Sequence, residues 1–479
     1  MARSFGWSLV GQVAQRGATW LSTILLVHLL QPEDYGTYSI AATVAMFLLA
    51  FNDLAVGYAV TRHQGVDVDE VAGTAATLAL GTSITIFGLV YLAAPAIVSL
   101  FDPPSGSPAV AVVRLTAFAI VIDGAIAAQG GLITRELAEQ LRVSCELVGF
   151  ACAITTNFTL AFAGAGAWSL AAGQVIGSAV TAALIMIRSP HRVRFRWSRE
   201  RAGPLARFGV PLMIAGTLNQ LIVNSDYVVV TRYLSLATAG AYFVAFNVSN
   251  WPVSLISFAM RRSAIGGFSR LQHDRLLLQR AFVQSTLLLI TVTAPMALLI
   301  ALLSGDIITV LFPERYAAGA VALRFLAGIS VFRLVFTLCL DLLTVLGRSI
   351  AILWVQAIWW VALVPAMWWG ATHHALVGVG VAQLLVAAVV ALPCLNWSLA
   401  REGMRLAPIL PGLRRPAVGC ATLTAACVLV RLPLQQPLLR LVAGGAAGAT
   451  GYLAVVLPGS PALDRAKALL VSRVGRAPS

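Results

Sequence analysis

Charged side chains inside long apolar segments are the first feature of this sequence that points to chemistry. A charge near the centre of a membrane costs about 2.5–3.5 kcal/mol when it faces lipid, so such residues face a partner helix or a hydrated cavity and are often functional. By position, Arg16, Asp123 and Arg333 are expected near mid-membrane. Arg114 and Arg324 are expected near segment ends, where a long side chain reaches the polar surface. The set comprises Arg16, Asp53, Arg114, Asp123, Asp226, Arg324, Arg333 and Asp341.

Arg16 belongs to a polar face of the first apolar segment. Drawn as a helix at about 100° per residue, this segment places five polar residues within an arc of about 120°. These are Gln12, Gln15, Arg16, Thr19 and Thr23. We therefore expect a membrane helix whose polar face points to a partner helix or to a wet cavity.

Two later segments carry similar stripes. In the seventh, the stripe comprises Thr217, Gln220, Asn224 and Thr231. Asp226 lies about 100° or more from this stripe, which predicts that it faces a neighbouring helix. In the tenth, a stripe of about 80° comprises Ser330, Arg333, Thr337 and Asp341.

Composition places these segments in a membrane. Of 479 residues, 59% are hydrophobic and 11% charged, and the mean hydropathy is +0.86, whereas a soluble protein has about 25% charged residues. The apolar runs are continuous rather than alternating, which predicts an all-α polytopic protein. Fourteen spans are expected at about 7–30, 37–60, 72–100, 108–133, 143–163, 167–187, 208–232, 238–259, 281–303, 317–346, 350–370, 375–396, 416–430 and 438–457.

The distribution of basic residues predicts the orientation. Most of the 33 basic residues fall on one side of the predicted spans, and such loops are cytoplasmic. Both termini are then cytoplasmic, in a bacterial plasma membrane. The net charge of +14 does not indicate nucleic-acid binding, because the arginines cluster in loops between spans.

The chain also contains an internal repeat. Gly36 is in register with Gly240, and Tyr38 with Tyr242. Offsets drift only from about 203 to about 211 over more than a hundred residues, an order that indicates a true repeat. The matched segments are 5–6 with 208–209, 28–41 with 232–245, 100–103 with 311–314, and 114–123 with 324–333.

Because the repeat unit is six spans, its two copies share one orientation, an architecture of secondary transporters. The predicted organisation has four parts. These are an N-lobe of spans one to six (1–190), a basic cytoplasmic linker (191–207), a C-lobe of spans seven to twelve (208–400), and a basic loop, two further spans and a cytoplasmic tail (401–479).

At the motifs of the repeat the chain resembles a known family. L-L-x-P-E-D-Y-G-x-Y, F-G-V-P, D-Y-V-V-V-T-R-Y-L-S and F-P-E-R-Y are similar to the polysaccharide transporters, the Wzx-like O-antigen and exopolysaccharide flippases of the multidrug/oligosaccharidyl-lipid/polysaccharide (MOP) exporter superfamily. The resemblance implies flipping of a polyprenyl-diphosphate-linked oligosaccharide to the outer leaflet. A polysaccharide polymerase and glycosyltransferases are implied partners. The two extra spans depart from the usual twelve, and fourteen spans are typical of the lipid II branch. A lipid II-type or multidrug exporter is therefore the alternative.

The resemblance gives the polar residues candidate roles in substrate binding. Arg16 and Arg333 are hypothesised to bind the diphosphate, because a guanidinium stays charged in low dielectric and its fork matches two phosphate oxygens. Neutral amides would contact sugar hydroxyls. The amide candidates are Gln12, Gln15, Gln220 and Asn224.

Three aspartates are candidates for a coupling proton or sodium ion, because a carboxylate in a low-dielectric environment binds a proton more readily than in water. They are Asp53, Asp123 and Asp226. The alternative is that they pair with arginines and only hold helices together. Asp123 and Arg333, at corresponding positions of the repeat, form one such pair in that interpretation.

The remaining patterns limit the function classes. The basic stretch 190–201 is expected either to bind anionic lipids or to act only as a topology determinant. No phosphate-binding G-K-[ST] loop and no metal-ligand spacing is found, so no cofactor, metal or enzymatic activity is expected. A membrane glycosyltransferase or polymerase would need a larger external loop. A non-transporting scaffold would bury its mid-membrane arginines away from solvent.

Overall fold

The computed structural model describes residues 2–53, 68–104, 106–135, 139–189, 193, 195–198, 218–271 and 274–457. Over these residues the regular secondary structure is helical, which confirms the predicted all-α class. Apart from one or two residues at their ends, the fourteen predicted spans are helical wherever they are described. Nine described stretches are long and apolar enough to cross a membrane, and one of them, Ile350–Arg401, contains two predicted spans.

The helices are numbered here by span. The first half contains α1 (Ala2–Leu29), α2 (Pro32–Asp53), α3 (Val68–Ser99), α4 (Ala109–Arg135), α5 (Glu139–Phe162) and α6 (Ala167–Arg188). The second contains α7 (218–233), α8 (Leu236–Leu271), α9 (Arg275–Leu302) and α10 (Gly319–Val345). A short helix, Ser304–Leu311, lies between α9 and α10.

The turn predicted between the spans at 350–370 and 375–396 is a break inside the helical stretch Ser349–Val386. His374 and Ala375 have non-helical backbone angles, with φ of 47° at Ala375, and they divide the stretch into α11 and α12. The helix α12 continues through a π-helical turn at Ala387–Ala391 and through Leu392–Arg401. Two C-terminal helices follow, α13 (Arg414–Arg431) and α14 (Pro437–Val456).

Residues that favour helix N-termini lie at the observed starts of several helices. Pro32 opens α2 and is followed by Glu33 in its first turn, where proline needs no hydrogen bond and an acid complements the helix dipole. Asp274 caps α9, because its carboxylate accepts from the backbone N–H groups of Leu276 and Leu277, each at 3.0 Å.

By packing, the described residues group into two compact units. The first lies within Met1–Val244 and Gln356–Ala382, and the second within Ala245–Val355 and Gln383–Ser479. The predicted lobes follow the sequence repeat instead, and their boundaries stay a prediction. The core of the first unit lies where α2, α3, α4 and α6 meet, with fully buried Ile40, Ala94, Val112, Ile120 and Ala171.

In the second unit, the loop after α12 is attached to the predicted cytoplasmic end of α9. The Gln279 amide donates from Nε2 to the Arg405 carbonyl at 2.8 Å and accepts from the Arg405 N–H at 3.0 Å. Glu402, in the same loop, pairs with Arg348 at 2.8 Å. The Gln279 contacts join Arg405 to the start of α9, and the ion pair joins Glu402 to the residue before α11.

Candidate functional site

The helix α7 carries a buried polar face that agrees with the stripe seen in the sequence. Asn224 is 1% exposed and Thr231 is 4% exposed. The Asn224 Nδ2 donates to the Gln220 carbonyl at 2.9 Å. Among the described residues, neither the Asn224 Oδ1 nor the Thr231 Oγ1 has a hydrogen-bond partner. Because an unsatisfied buried polar atom costs about 1–3 kcal/mol, this face is poorly suited to a purely structural role.

Two other faces of α7 are fixed by neighbouring helices of the first unit. The Trp360 indole N–H on α11 donates to Ser225 Oγ at 2.9 Å. On another face, the Tyr242 hydroxyl of α8 donates to Asp226 Oδ2 at 2.8 Å. These contacts fix the rotation of α7 about its own axis, so the face that carries Asn224 and Thr231 keeps a defined direction.

Asp226 lies where the helical geometry of the sequence predicts, against a neighbouring helix. Its carboxylate is 1% exposed and accepts from the Tyr242 hydroxyl and from the Tyr227 N–H, the latter at 2.9 Å. These contacts attach Asp226 to α8 through a tyrosine hydroxyl. Its role in ion coupling stays a prediction.

Arg333 lies in the middle of α10, in the second unit. Its guanidinium carbon is 5.5 Å from the ring centroid of Phe246, a cation–π distance. Two other members of its stripe, Ser330 and Thr337, donate their hydroxyl groups to carbonyls of α10 itself at 2.7 and 2.8 Å. Arg333 is the basic member of this stripe.

The remaining candidates are placed less completely. The backbone is helical at Gln12, Arg16 and Asp53, but their side chains lie outside what the structure describes. Gln15 on α1 and Asp123 on α4 are half-buried. A diphosphate-binding role for Arg16 stays a prediction.

The motif P-E-D-Y-G forms a close helix contact at the end of the first unit that is predicted to face outside. Gly36 of α2 meets the first turn of α8, where its β-position touches the Leu236 carbonyl. Gly240 of α8 meets the first turn of α2 in return, and a β-carbon there would lie 2.9 Å from the Gly36 nitrogen and against the Pro32 carbonyl. Only glycine permits this approach.

An aromatic cluster surrounds this glycine contact. The ring of Phe243 lies 5.7 to 6.1 Å from the rings of Tyr227, Tyr35 and Tyr38. The Tyr38 hydroxyl donates to Gln174 Oε1 on α6 at 2.9 Å. The first turns of α2 and α8, the second helices of the two repeat halves, are thus packed together here.

Sequence reasoning missed Tyr242, Trp360 and Phe243 as site-building residues. The register of Tyr38 with Tyr242 in the repeat was the available signal for one of them. Nothing in the sequence indicates that Trp360 would reach Ser225, because 135 residues separate the two.

The described residues contain no group of three or more metal-ligating side chains, and the six cysteines are free thiols. The described candidate residues are hydrogen-bonding groups on α7 in the first unit and Arg333 on α10 in the second. Such groups can bind a polar headgroup reversibly, without covalent chemistry.

Comparison with known proteins gives a consistent result. A family model described as polysaccharide biosynthesis protein matches residues 25–320. The chain is 26% identical over 471 residues to the succinoglycan biosynthesis transport protein ExoT of Rhizobium meliloti, covering 95% of this chain and 92% of that protein. It is 21% identical over 337 residues to the lipopolysaccharide biosynthesis protein WzxC of Escherichia coli, covering 68% and 66%.

Solved structures show the same fold. The lipid II flippase MurJ in an inward closed conformation matches with a TM-score of 0.79 at 13% identity, over 93% of this chain and 97% of that one. A multidrug resistance MATE transporter of the MOP superfamily in an inward-facing conformation matches with a TM-score of 0.63 at 16% identity, over 81% and 96%.

Proposed function

The chain belongs to the polysaccharide biosynthesis protein family, and from this premise we propose that it is a flippase of the MOP superfamily. Its substrate is a polyprenyl-diphosphate-linked oligosaccharide, which it moves from the cytoplasmic to the outer leaflet by alternating access. The product serves assembly of an extracellular polysaccharide. A polymerase and glycosyltransferases are the partners that this role implies.

The observation that carries the proposal is the buried polar face of α7. Asn224 Oδ1 and Thr231 Oγ1 are acceptors without a partner among the described residues, on a helix that the sequence predicts to span the membrane. Sugar hydroxyl groups are donors that match such acceptors. Gln12, Gln15 and Gln220 supply further amides in this proposal.

Arg333 and Arg16 bind the diphosphate in the proposed function. An arginine suits this role because its guanidinium stays charged in a low-dielectric environment and its planar fork matches two phosphate oxygens. Arg333 lies in the middle of α10, within cation–π distance of Phe246.

The test uses proteoliposomes that contain the purified protein and a lipid-linked oligosaccharide with a fluorescent sugar label. A membrane-impermeant quencher then measures movement between leaflets. We expect Arg333→Ala and Arg16→Ala to lose most of the flipping rate at equal protein level. Arg324→Ala, which removes an exposed arginine from the same helix as Arg333, is the matched control. Unimpaired flipping by both variants at positions 16 and 333 would reject the diphosphate role.

A lipid II substrate is the second candidate, favoured by the fourteen helices and the fold shared with MurJ. The same vesicles loaded with labelled lipid II separate the two. Faster flipping of lipid II than of oligosaccharide carriers of other sugar composition would favour this alternative.

The orientation with both termini cytoplasmic is part of the proposal and rests on the arginine distribution. Single cysteines introduced at Ser4 and at the outer loop residue Ser107, in a cysteine-free background, test it. An impermeant thiol reagent added to intact cells should label only the second position.

We also propose that the basic stretch 190–201 binds anionic lipids at the cytoplasmic surface. The Thr77 hydroxyl of α3 donates to the Arg196 carbonyl at 2.9 Å, and Val193 packs near α3, so these two residues lie against α3. Phe195 and Trp197 are 53% and 61% exposed, which suits insertion between headgroups. Phosphatidylglycerol should raise the melting temperature more than phosphatidylcholine does, and an Arg194→Gln, Arg196→Gln variant should lose most of that difference, because the arginine charges attract the anionic headgroup.

A further inference from the structure

In two of the described membrane helices that contain an internal proline, the carbonyl group freed by the proline accepts a hydrogen bond from a side chain of another helix. Proline has no N–H, so the carbonyl four residues earlier loses its helical donor. For Pro95 of α3 this carbonyl is that of Tyr91, and Arg114 of α4 donates to it from Nε at 3.1 Å. The Arg114 guanidinium also lies 4.4 Å from the Tyr91 ring centroid.

In α9 a side chain also donates to the carbonyl group freed by a proline, but the donor is a different residue type. Pro295 frees the carbonyl of Thr291, and the Tyr452 hydroxyl donates to this oxygen at 2.6 Å. Tyr452 lies on α14, the last helix of the chain. Because hydrocarbon offers no water to an unpaired carbonyl, a donor from a neighbouring helix is strongly favoured.

The origin of the two donors differs between the halves of the repeat. The helices α3 and α9 are the third spans of their halves. In the first half, the donor Arg114 comes from the following span. Its counterpart in the repeat is Arg324, which is exposed on α10, and the donor for α9 comes from the C-terminal helices instead.

Packing contacts hold Tyr452 and the C-terminal helices against α9. The Tyr452 ring lies over Gly419 of α13, where a β-carbon would come within 2.9 Å of two ring carbons. At the end of α9, Arg431 of α13 donates to the Leu302 carbonyl at 2.8 Å and pairs with Asp306 at 2.7 Å. The C-terminal helices therefore contact α9 at two of its carbonyl groups.

We propose that Arg114 and Tyr452 are positioning residues that replace the amide donors missing at Pro95 and Pro295. On this assignment α13 and α14 belong functionally to the second half, because their side chains donate to carbonyl groups of α9. The functional consequence rests on the proposed flippase activity, whereas the assignment of the donors does not.

A double-mutant cycle tests the assignment. Tyr452→Phe removes only the hydroxyl and should lower the melting temperature of the purified protein by several degrees. In a Pro295→Ala background the new Ala N–H reaches the Thr291 carbonyl, so the same substitution should change the melting temperature by less than a third as much. Tyr233→Phe, at a half-exposed tyrosine, is the matched control and should be neutral in both backgrounds. Equal losses in both backgrounds would overturn the assignment for Tyr452.

A second cycle is independent of the C-terminal helices. Arg114→Met should lower the melting temperature more in the parent protein than in a Pro95→Ala background, because only the parent depends on the Arg114 donor. If a Pro295→Ala protein fails to fold, this cycle decides the principle, and equal losses in both backgrounds would reject it.

Transport kinetics separate positioning from bulk stability. At a temperature where both proteins are folded, Tyr452→Phe should lower the maximal flipping rate several-fold with an unchanged half-saturating concentration, and Pro295→Ala should restore the rate. An unchanged rate would reject the functional part. If the parent protein moves no lipid-linked oligosaccharide, the proposed function fails, while the melting cycles still decide the donor assignment.

Discussion

Gly36 and Gly240 occupy equivalent positions in the two halves of the repeat, and they lie against each other in the folded chain. A β-carbon on Gly240 would be 2.9 Å from the Gly36 backbone nitrogen, which is closer than such atoms approach. The pseudo-symmetry found in the sequence therefore appears as a direct contact between the first turns of α2 and α8.

The first prediction follows from this contact. Gly240→Ala should destabilise the protein by about 1–3 kcal/mol, because the added methyl group meets backbone atoms that cannot rotate away. The measurement is the melting temperature in detergent. Gly81→Ala is the control, since an added β-carbon at that helical position meets nothing within 4 Å. A Gly240→Ala protein as stable as the control would contradict the contact.

The second prediction concerns Tyr242 and Asp226. Tyr242→Phe removes the hydroxyl that donates to the buried carboxylate, and we expect a loss of about 1–3 kcal/mol in unfolding free energy. Chemical denaturation of the purified protein measures it. A second arm separates packing from coupling. Asp226→Asn should leave the dependence of flipping on a proton or sodium gradient unchanged if Asp226 only holds α7 to α8, and should abolish it if Asp226 binds the coupling ion.

The third prediction concerns Asn224. Because its Oδ1 has no partner among the described residues, Asn224→Leu should cost little stability, within about 1 kcal/mol, since replacing a poorly satisfied polar group by an apolar one of similar size is nearly neutral. Flipping should fall about tenfold, the effect of losing about 1.4 kcal/mol of substrate interaction. Ile222→Leu, a buried position on the same helix, is the control. Normal flipping by Asn224→Leu would remove this residue from the binding site.

The fourth prediction concerns Arg431 and Asp306. Asp306 is 6% exposed and pairs with Arg431, so Arg431→Met should destabilise the protein by about 3 kcal/mol, because it leaves a buried carboxylate without its charge partner. Adding Asp306→Asn should recover part of the loss. Arg414→Met, at an exposed arginine on the same helix, should stay within about 0.5 kcal/mol. Equal effects of Arg431→Met and Arg414→Met would show that the ion pair contributes nothing.

Much of the fold could be predicted because membrane helices depend on local properties. Length and hydropathy place the spans, and the break at His374 and Ala375 falls where the predicted spans 350–370 and 375–396 adjoin. Helical geometry also predicts that Asp226 faces a neighbouring helix and that Asn224 and Thr231 share a face.

The contacts that build the candidate site could not be predicted in the same way. Each depends on which helices become neighbours, and residues far apart in the sequence then meet. Thr291 and Tyr452, separated by 161 positions, are one example. The prolines were visible in the sequence, but a missing N–H does not reveal which side chain replaces it.

The reciprocal amide contact between Gln279 and Arg405 has a practical consequence for observing motion. It attaches the loop before α13 to the start of α9, while Arg431 and Tyr452 attach α13 and α14 to later positions of α9. The last two helices should therefore move together with α9 as one rigid unit. A spectroscopic probe attached to an exposed residue of α14, such as Val442, would then report the movement of α9 during turnover while staying clear of the residues proposed to touch the cargo.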